Sequence, residues 1–378
     1  MHYRTLGRTG LAVSEIGLGT EYLLKASQET TSAVVRQAVD AGINYFDVLF
    51  SEPDYRNHFG AAFHGLRGQV IITGHLPVFD SIEKCRASFE DHLTRLRIDF
   101  VDIVFISCCD GEERSRAALG PGGHLELAQS LVGSGLARYI GFSSHTLAAA
   151  RQAVESGLID VLMFPINPAF DPLPGETGAD DLGNLWDGAY KRRPDEAADG
   201  ALPARKQLYH ACASSGVALV AMKPFAAGWL FRPDINPGFT PVNLIHYALT
   251  QPGVSCVIPG AADPGQLAED LAYYSASAAE KDFSAAVAAS RWNYRGACMY
   301  CSHCQPCTAG IDIAEVNKLL DLAASGAPAE ARQAYRQLEV LASACQECGE
   351  CLQRCPFGVQ VIERMKEAAR LFEQSPVR

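Results

Sequence analysis

Short apolar runs alternate with amphipathic stretches over most of the chain. The runs have the length and the β-branched and aromatic content of buried strands, whereas the stretches between them repeat apolar positions at helical spacing. The predicted strands are residues 15–19, 44–47, 69–73, 101–106, 139–142, 161–166, 218–222 and 256–258. The predicted helices are residues 31–41, 81–97, 125–134, 146–156, 205–214, 241–250 and 264–275. Eight strands with intervening helices predict an α/β fold, a (β/α)8 TIM barrel, after a hairpin at residues 3–14.

An insert rich in Pro, Gly and Asp occupies residues 168–202, directly after the sixth predicted strand. Loops that follow the strands of such a barrel lie at its C-terminal face, where ligands bind. The insert is therefore a candidate lid over a binding site.

Two runs of cysteines dominate the C-terminal part of the sequence. The first run contains Cys298, Cys301, Cys304 and Cys307, and the second contains Cys345, Cys348, Cys351 and Cys355. Thiolates three residues apart can turn inward on one loop, and a fourth cysteine followed by proline, as in Cys355-Pro356, ligates the other cluster in two-cluster ferredoxins. This pattern predicts two [4Fe–4S] clusters with exchanged fourth ligands. The first would bind Cys298, Cys301, Cys304 and Cys355, and the second Cys345, Cys348, Cys351 and Cys307.

Zinc and disulfides are the alternative explanations of these cysteines. Four thiolates satisfy zinc, so zinc leaves the triple spacing in each run unexplained. Disulfides fit poorly in a long acidic chain without an export signal. Iron–sulfur clusters are the favoured interpretation, and zinc is the main alternative.

The chain of 378 residues carries a formal net charge of −11, which argues against nucleic acid or an anionic membrane as its main partner. The N-terminus has no apolar signal segment, and no apolar run is long enough to cross a membrane. We therefore expect a cytoplasmic protein. Residues 1–285 are predicted to form the barrel and residues 286–378 a small α-helical, ferredoxin-like iron–sulfur domain.

The order of several segments resembles that of the aldo-keto reductases, specifically those with a C-terminal ferredoxin-like domain. The similar segments are residues 3–10, 42–47, 93–102, 138–145 and 221–228, followed by the cysteine runs. The resemblance covers essentially the whole chain. It implies a barrel that binds a nicotinamide cofactor, NAD or NADP, in an extended form without a Rossmann domain.

The resemblance also implies where catalytic residues should lie, and the sequence departs from the family there. The family uses an aspartate, a tyrosine, a lysine and a histidine. Asp47 matches the aspartate, and Tyr55 is the tyrosine available nearby. The lysine is expected at the end of the third strand, where His75 follows, and the histidine at the end of the fourth, which reads Ser107-Cys108-Cys109. The catalytic candidates are therefore Asp47, His75 and Tyr55, with His75 paired to Asp47 as the acid or base.

Six residues match positions at which the family binds its cofactor. They are Ser143 and Ser144 for the carboxamide, Lys223 and Gly228 for the pyrophosphate, and Gln266 and Asp270 for the adenine side. Residues 260–266 contain no arginine or lysine for a 2′-phosphate, which favours NAD over NADP. The alternative interpretation of the two serines is a helix N-cap.

These features predict an iron–sulfur oxidoreductase that acts on a small carbonyl or alcohol substrate at the barrel mouth, with electron transfer through two [4Fe–4S] clusters. Its redox partner would be a protein such as a ferredoxin or a flavodoxin. Two alternatives stay open. One is a non-redox lyase or isomerase that uses Asp47 and His75 and keeps the clusters for structure, and the other is a non-catalytic electron-transfer protein.

Overall fold

The computed structural model describes residues 1–49, 52–78, 80–172, 204–232, 237–290 and 294–374. The chain begins with an antiparallel hairpin of β1 (Tyr3–Thr5) and β2 (Ala12–Ser14). Leu6 and Val13 of this hairpin are fully buried and pack against the residues that fill the barrel interior. The predicted hairpin therefore forms, and it covers the N-terminal end of the barrel.

Eight parallel strands follow, as the sequence predicts. They are β3 (Leu18–Gly19), β4 (Tyr45–Asp47), β5 (Ile71–Pro77), β6 (Val101–Ser107), β7 (Ala137–Ser143), β8 (Val161–Pro165), β9 (Ala218–Met222) and β10 (Val254–Ile258). Each strand pairs with its neighbour in the sequence. Parallel bridges from Ile16 to Val257 and from Gly19 to Gly260 join the first strand to the last. The sheet is thus closed, and the predicted (β/α)8 barrel is confirmed.

Nine helices lie on the outside of the described part of the barrel. They are α1 (Gln28–Asp40), α2 (Pro53–Ala62), α3 (Ile82–Leu96), α4 (Glu112–Leu119), α5 (His124–Gly133), α6 (Leu147–Glu155), α7 (Ala204–Ser215), α8 (Pro241–Thr250) and α9 (Pro264–Leu271). The sequence pattern predicts neither α2 nor α4, and α2 begins with Pro53. Proline is tolerated in the first turn of a helix, where its missing N–H has no helical partner.

The strand β5 is longer than predicted, and this extension matters for the site. The predicted strand ends at residue 73, whereas the observed strand continues to Pro77 and includes His75. Inside the barrel, the ring of Phe105 lies over Gly141, where a Cβ atom would come within 2.4 Å of the ring. Glycine at this position therefore leaves room for an aromatic floor beneath the barrel mouth.

The C-terminal part of the chain is helical and packs against the barrel. Its helices are α10 (Ala278–Lys281), α11 (Ser284–Ala289), α12 (Ile313–Ala324), α13 (Pro328–Tyr335), α14 (Glu350–Arg354) and α15 (Val361–Ala368). Helix α12 contacts α7 of the barrel and also α15. Within the described ranges, no helix combines the length and the apolar character needed to cross a membrane.

The predicted lid at residues 168–202 falls almost entirely outside the described residues. Of the five described residues, Asp171 is buried and accepts hydrogen bonds from Tyr209 at 2.6 Å and Tyr247 at 2.5 Å. This carboxyl group ties the start of the insert to helices α7 and α8.

Candidate functional site

A cavity of about 340 Å³ opens at the carboxyl ends of the barrel strands. Its polar lining includes Glu21, Asp47, His75, Ser107, Ser143, His145 and Lys223, and its apolar lining includes Met163, Met222, Phe225 and Ile258. This is the end of the barrel at which (β/α)8 enzymes bind their ligands. An apolar cavity with a few convergent polar groups has the size and character of a small-molecule site.

A buried pair of ionisable groups lies in this cavity. His75 Nε2 is 3.0 Å from Asp47 Oδ1, and both side chains are more than nine-tenths buried. The Thr73 hydroxyl donates to the same carboxylate oxygen at 2.8 Å, and it accepts from the Val48 N–H at 3.1 Å. The carboxylate thus orients the imidazole toward the cavity, and an imidazole held in this way can serve as a general acid or base.

One aromatic ring packs against the imidazole of His75, and a second histidine lies nearby. The His75 ring stacks on Phe105, with 5.6 Å between ring centroids and 22° between planes. Behind it, His92 Nε2 lies 3.4 Å from the Thr73 carbonyl oxygen. Burial, together with the nearby His75, lowers the pKa of His92 to about 3, so His92 stays neutral at physiological pH. Of these two histidines, only His75 lines the cavity.

Tyr55 does not line the cavity. It is buried on α2, where its hydroxyl group contacts the Thr20 hydroxyl and accepts from the Leu49 N–H at 3.2 Å. Burial raises the pKa of this phenol well above its usual value. The position of Tyr55 is that of a structural group that holds the chain on both sides of the cavity rim.

Of the residues predicted to bind the carboxamide and the pyrophosphate, some line the cavity and others do not. Ser143 and Lys223 line the cavity, and Lys223 has a left-handed backbone with φ of +52°. Ser144 is fully buried, donates to Asp110 Oδ1 at 3.1 Å and accepts from the Thr146 N–H at 3.1 Å. Ser144 therefore holds the turn before α6, whose N-cap residue is Thr146, and it does not line the cavity. Gly228, with φ of +82°, lies in the turn after β9.

The two residues predicted on the adenine side both lie on α9. Gln266 accepts from the Ala262 N–H at 2.9 Å through Oε1. Asp270 is buried, and its Oδ2 atom has no hydrogen-bond partner among the described residues. Burial raises the pKa of this carboxyl well above its usual range.

A second histidine–carboxylate pair at the mouth was not predicted. His145 Nδ1 lies 3.1 Å from Asp110 Oδ2, and the His145 N–H donates to Asp110 Oδ1 at 2.6 Å. Arg205 of α7 donates to the His145 carbonyl oxygen at 2.7 Å. Both partners follow the ends of adjacent strands, β6 and β7, so their positions after two strand ends were the available signal.

The cysteine runs form two further cavities. One is lined by Cys298, Cys301, Cys304 and Cys355, and the other by Cys307, Cys345, Cys348 and Cys351. Each cavity thus takes three cysteines from one run and one from the other. Ile313 of α12 and Val361 of α15 line both cavities, so the same apolar wall separates them.

The four cysteines of each cavity do not form a single-ion site. Throughout the described ranges, no three His, Cys, Asp or Glu side chains are grouped closely enough to hold one metal ion. A tetrahedral zinc site with Zn–S bonds of about 2.3 Å needs its sulfurs about 3.8 Å apart. Each cavity offers a bound group four cysteine side chains and an apolar wall.

Comparison with known proteins agrees with the barrel geometry. The aldo/keto reductase family model matches residues 15–170. The matched segment runs from just before β3 to just after β8, so the likeness covers the first six strands of the barrel. The predicted resemblance is confirmed at this level, and so is the predicted class of enzyme, an oxidoreductase.

The chain is similar to an uncharacterized oxidoreductase of Bacillus subtilis, YqkF. It is 25% identical over 293 residues, which cover 72% of this chain and 90% of that protein. L-galactose dehydrogenase of Arabidopsis thaliana is 30% identical over 180 residues, or 42% of this chain and 54% of that protein. This chain thus spans most of the first relative and about half of the second.

A solved aldo-keto reductase of Klebsiella pneumoniae in complex with NADPH has a similar fold. Its TM-score is 0.54 at 18% identity, over 73% of this chain and 91% of that chain. At this identity the likeness concerns the fold.

We expect His92→Gln to flatten the pH dependence of stability. The pKa of His92 is about 3 in the folded protein and about 6.5 in an unfolded chain. Between these values the unfolded state binds more protons, so the free energy of unfolding falls as the pH drops below about 6.5. For each pH unit of acidification, the free energy of unfolding should fall less in the variant than in the wild type, by up to about 1.4 kcal/mol. Urea unfolding between neutral and mildly acidic pH measures this, and parallel curves for the two proteins would contradict it.

Proposed function

We propose that this chain is an iron–sulfur oxidoreductase that acts on a small carbonyl or alcohol substrate at the barrel mouth, with a nicotinamide cofactor. The observation that carries the proposal is the Asp47–His75 pair, which lines the cavity of an aldo/keto reductase barrel with 3.0 Å between Nε2 and Oδ1. A buried imidazole beside a carboxylate can move a proton to or from the substrate oxygen.

His75 takes the acid–base role in this proposal. In the direction of reduction, protonated His75 gives its proton to the carbonyl oxygen, while Asp47 stabilises the positive charge beforehand. When bound, the nicotinamide supplies or accepts the hydride at the substrate carbon. In oxidation, the imidazole takes the proton of the substrate hydroxyl instead. Thr73 holds Asp47 in place through its 2.8 Å hydrogen bond.

The cofactor would lie along the residues that the resemblance implies. Ser143 would hold the carboxamide and Lys223 the pyrophosphate, since both face the cavity. Asp270, buried and with one oxygen unpartnered among the described residues, would lie on the adenine side with Gln266. The absence of basic residues at 260–266 supports NAD, whereas the similar Klebsiella structure contains NADPH.

The substrate would be a polar organic molecule. Ser107 Oγ is buried at the mouth, and it has no hydrogen-bond partner in the described part of the chain. It can bind a substrate oxygen, together with Glu21 and His145 on the cavity wall. One relative is named for its action on L-galactose, so sugars are the first substrates to test.

A second candidate is a lyase or isomerase that moves protons without hydride. The position of Tyr55 favours it, because the phenol that the family uses as its acid lies outside the cavity lining here. The Asp47–His75 pair is sufficient for proton transfer alone. Nicotinamide binding distinguishes the two candidates.

We expect the purified protein to bind NADH or NADPH, with Lys223→Met weakening binding at least about tenfold through loss of a phosphate contact. Isothermal titration under anaerobic conditions measures both affinities. Lys25→Met is the matched control, because Lys25 is exposed and does not line the cavity, so its loss should leave affinity unchanged. If neither nucleotide binds, the oxidoreductase mechanism is abandoned for the proton-transfer candidate.

The two cysteine cavities are proposed to hold the [4Fe–4S] clusters. Four thiol donors per cavity and an apolar lining support this assignment. Clusters with four cysteine ligands transfer single electrons when bound and leave no iron open to substrate. Cys348 is the exposed thiol of the second cavity, so a partner such as a ferredoxin or flavodoxin would approach there. A reducing cytoplasm would keep these thiols available.

Removing cysteines in pairs tests how the ligands are shared. Cys301→Ala should remove the first cluster and halve the roughly eight irons per chain expected of two clusters. Adding Cys355→Ala should then cost no further iron, because Cys355 lines the same cavity. Adding Cys307→Ala instead should remove the second cluster as well, since Cys307 lines the other cavity.

The cluster content of each variant is measured by analysis of iron and acid-labile sulfide after anaerobic purification. The opposite pattern, with Cys355→Ala removing the remaining iron and Cys307→Ala sparing it, would show that each run completes its own cluster. Cys212→Ala, a buried cysteine of the barrel helix α7, is the control and should keep all the iron.

A further inference from the structure

Lys206 is a barrel residue whose charged group is buried in the C-terminal part. It belongs to α7 and is fully buried. Its Nζ atom donates to the Cys298 carbonyl oxygen at 3.2 Å and lies 3.4 Å from Met299 Sδ. The same atom is 4.7 Å from the ring centroid of Tyr300. Lys206 therefore contacts three consecutive residues of the first cysteine run.

This ammonium group has no carboxylate partner at ion-pair distance among the described residues. The neighbouring cation, Arg364, is different, because it is paired with Asp321. Asp321 also accepts a hydrogen bond from the Tyr300 hydroxyl at 2.6 Å. A buried charge is costly unless an opposite charge compensates for it. Among the described residues, Lys206 thus has no carboxylate at ion-pair distance, although Asp171 and Asp321 attract it from farther away.

A further counter-charge is supplied by the first cysteine cavity if it holds a cluster. Four thiolates outweigh the positive core of a [4Fe–4S] cluster, so the bound group is an anion, and reduction makes it more negative. We propose that Lys206 is the counter-ion of the cluster bound by Cys298, Cys301, Cys304 and Cys355, and that it raises the reduction potential of this cluster selectively. A cation in a low-dielectric site favours the reduced, more negative state. The inference rests on the proposed cluster occupancy.

The second cavity has a different charge environment. Arg354 is paired with Glu350 at 3.1 Å, and Lys366 is paired with Glu347 at 2.9 Å. Both cations are partly exposed, and Cys348 is exposed to solvent. Solvent and carboxylates screen these charges. The first cluster, which lies against the barrel helix, is therefore the one that Lys206 makes easier to reduce.

The test is a potentiometric titration of the anaerobic, iron-loaded protein, followed by electron paramagnetic resonance. Lys206→Met removes the charge and keeps an apolar chain of similar length. We expect the ratio of reduced to oxidised first cluster at a fixed potential to fall at least tenfold, which is a shift of about 59 mV for one electron. The second cluster should keep its midpoint.

Lys318→Met is the matched control. Lys318 Nζ lies 5.7 Å from the centroid of the same Tyr300 ring, but it is partly exposed and paired with Glu315 at 3.4 Å. Its removal should leave both midpoints unchanged. Lys206→Arg keeps the charge and should keep the potential of the first cluster near that of the wild type.

The outcomes separate this inference from the assignment on which it rests. A wild-type protein without iron removes the cluster assignment itself. Iron-loaded Lys206→Met with unchanged midpoints, or with both midpoints shifted equally, overturns the role of Lys206. If Lys206→Met loses the first cluster, the Lys206→Arg variant shows whether the charge of the side chain is the cause. A retained cluster with its wild-type potential supports the charge as the cause, and a lost cluster contradicts it.

Discussion

The exchange of one cysteine between the two runs is the constraint on which the C-terminal part of the molecule depends. Cys355 completes the cavity of the first run and Cys307 that of the second, so neither run forms a four-thiol cavity by itself. The loops must therefore fold together, and α12 and α15 supply a common wall through Ile313 and Val361. Lys206 of the barrel reaches into this assembly and joins it to α7.

At the barrel mouth, too, several groups hold one side chain, the imidazole of His75. His75 is fixed by a carboxylate in front of it and by the ring of Phe105 beneath it. That ring has space because residue 141 is glycine. The resulting site presents an imidazole and a carboxylate to the cavity, whereas the phenol of Tyr55 is buried outside the cavity lining. In the proposed mechanism this imidazole transfers the proton.

Much of this arrangement could be predicted from the sequence, because local patterns determine it. Apolar runs located the strands, and cysteine spacing located the two thiol groups. The burial of Tyr55 could not be predicted, because only the fold shows that Pro53 begins a helix and that this helix buries the phenol. The Asp110–His145 pair depends on two strands lying side by side. Lys206 gave no signal, because a lysine on a helix normally faces solvent.

Diffraction from anaerobic crystals on both sides of the iron absorption edge tests the central claim most directly. The account predicts two iron-containing groups. One should be bonded to Cys298, Cys301, Cys304 and Cys355, and the other to Cys307, Cys345, Cys348 and Cys351. Crystals whose cavities contain no iron, or in which each group binds the cysteines of a single run, would contradict it.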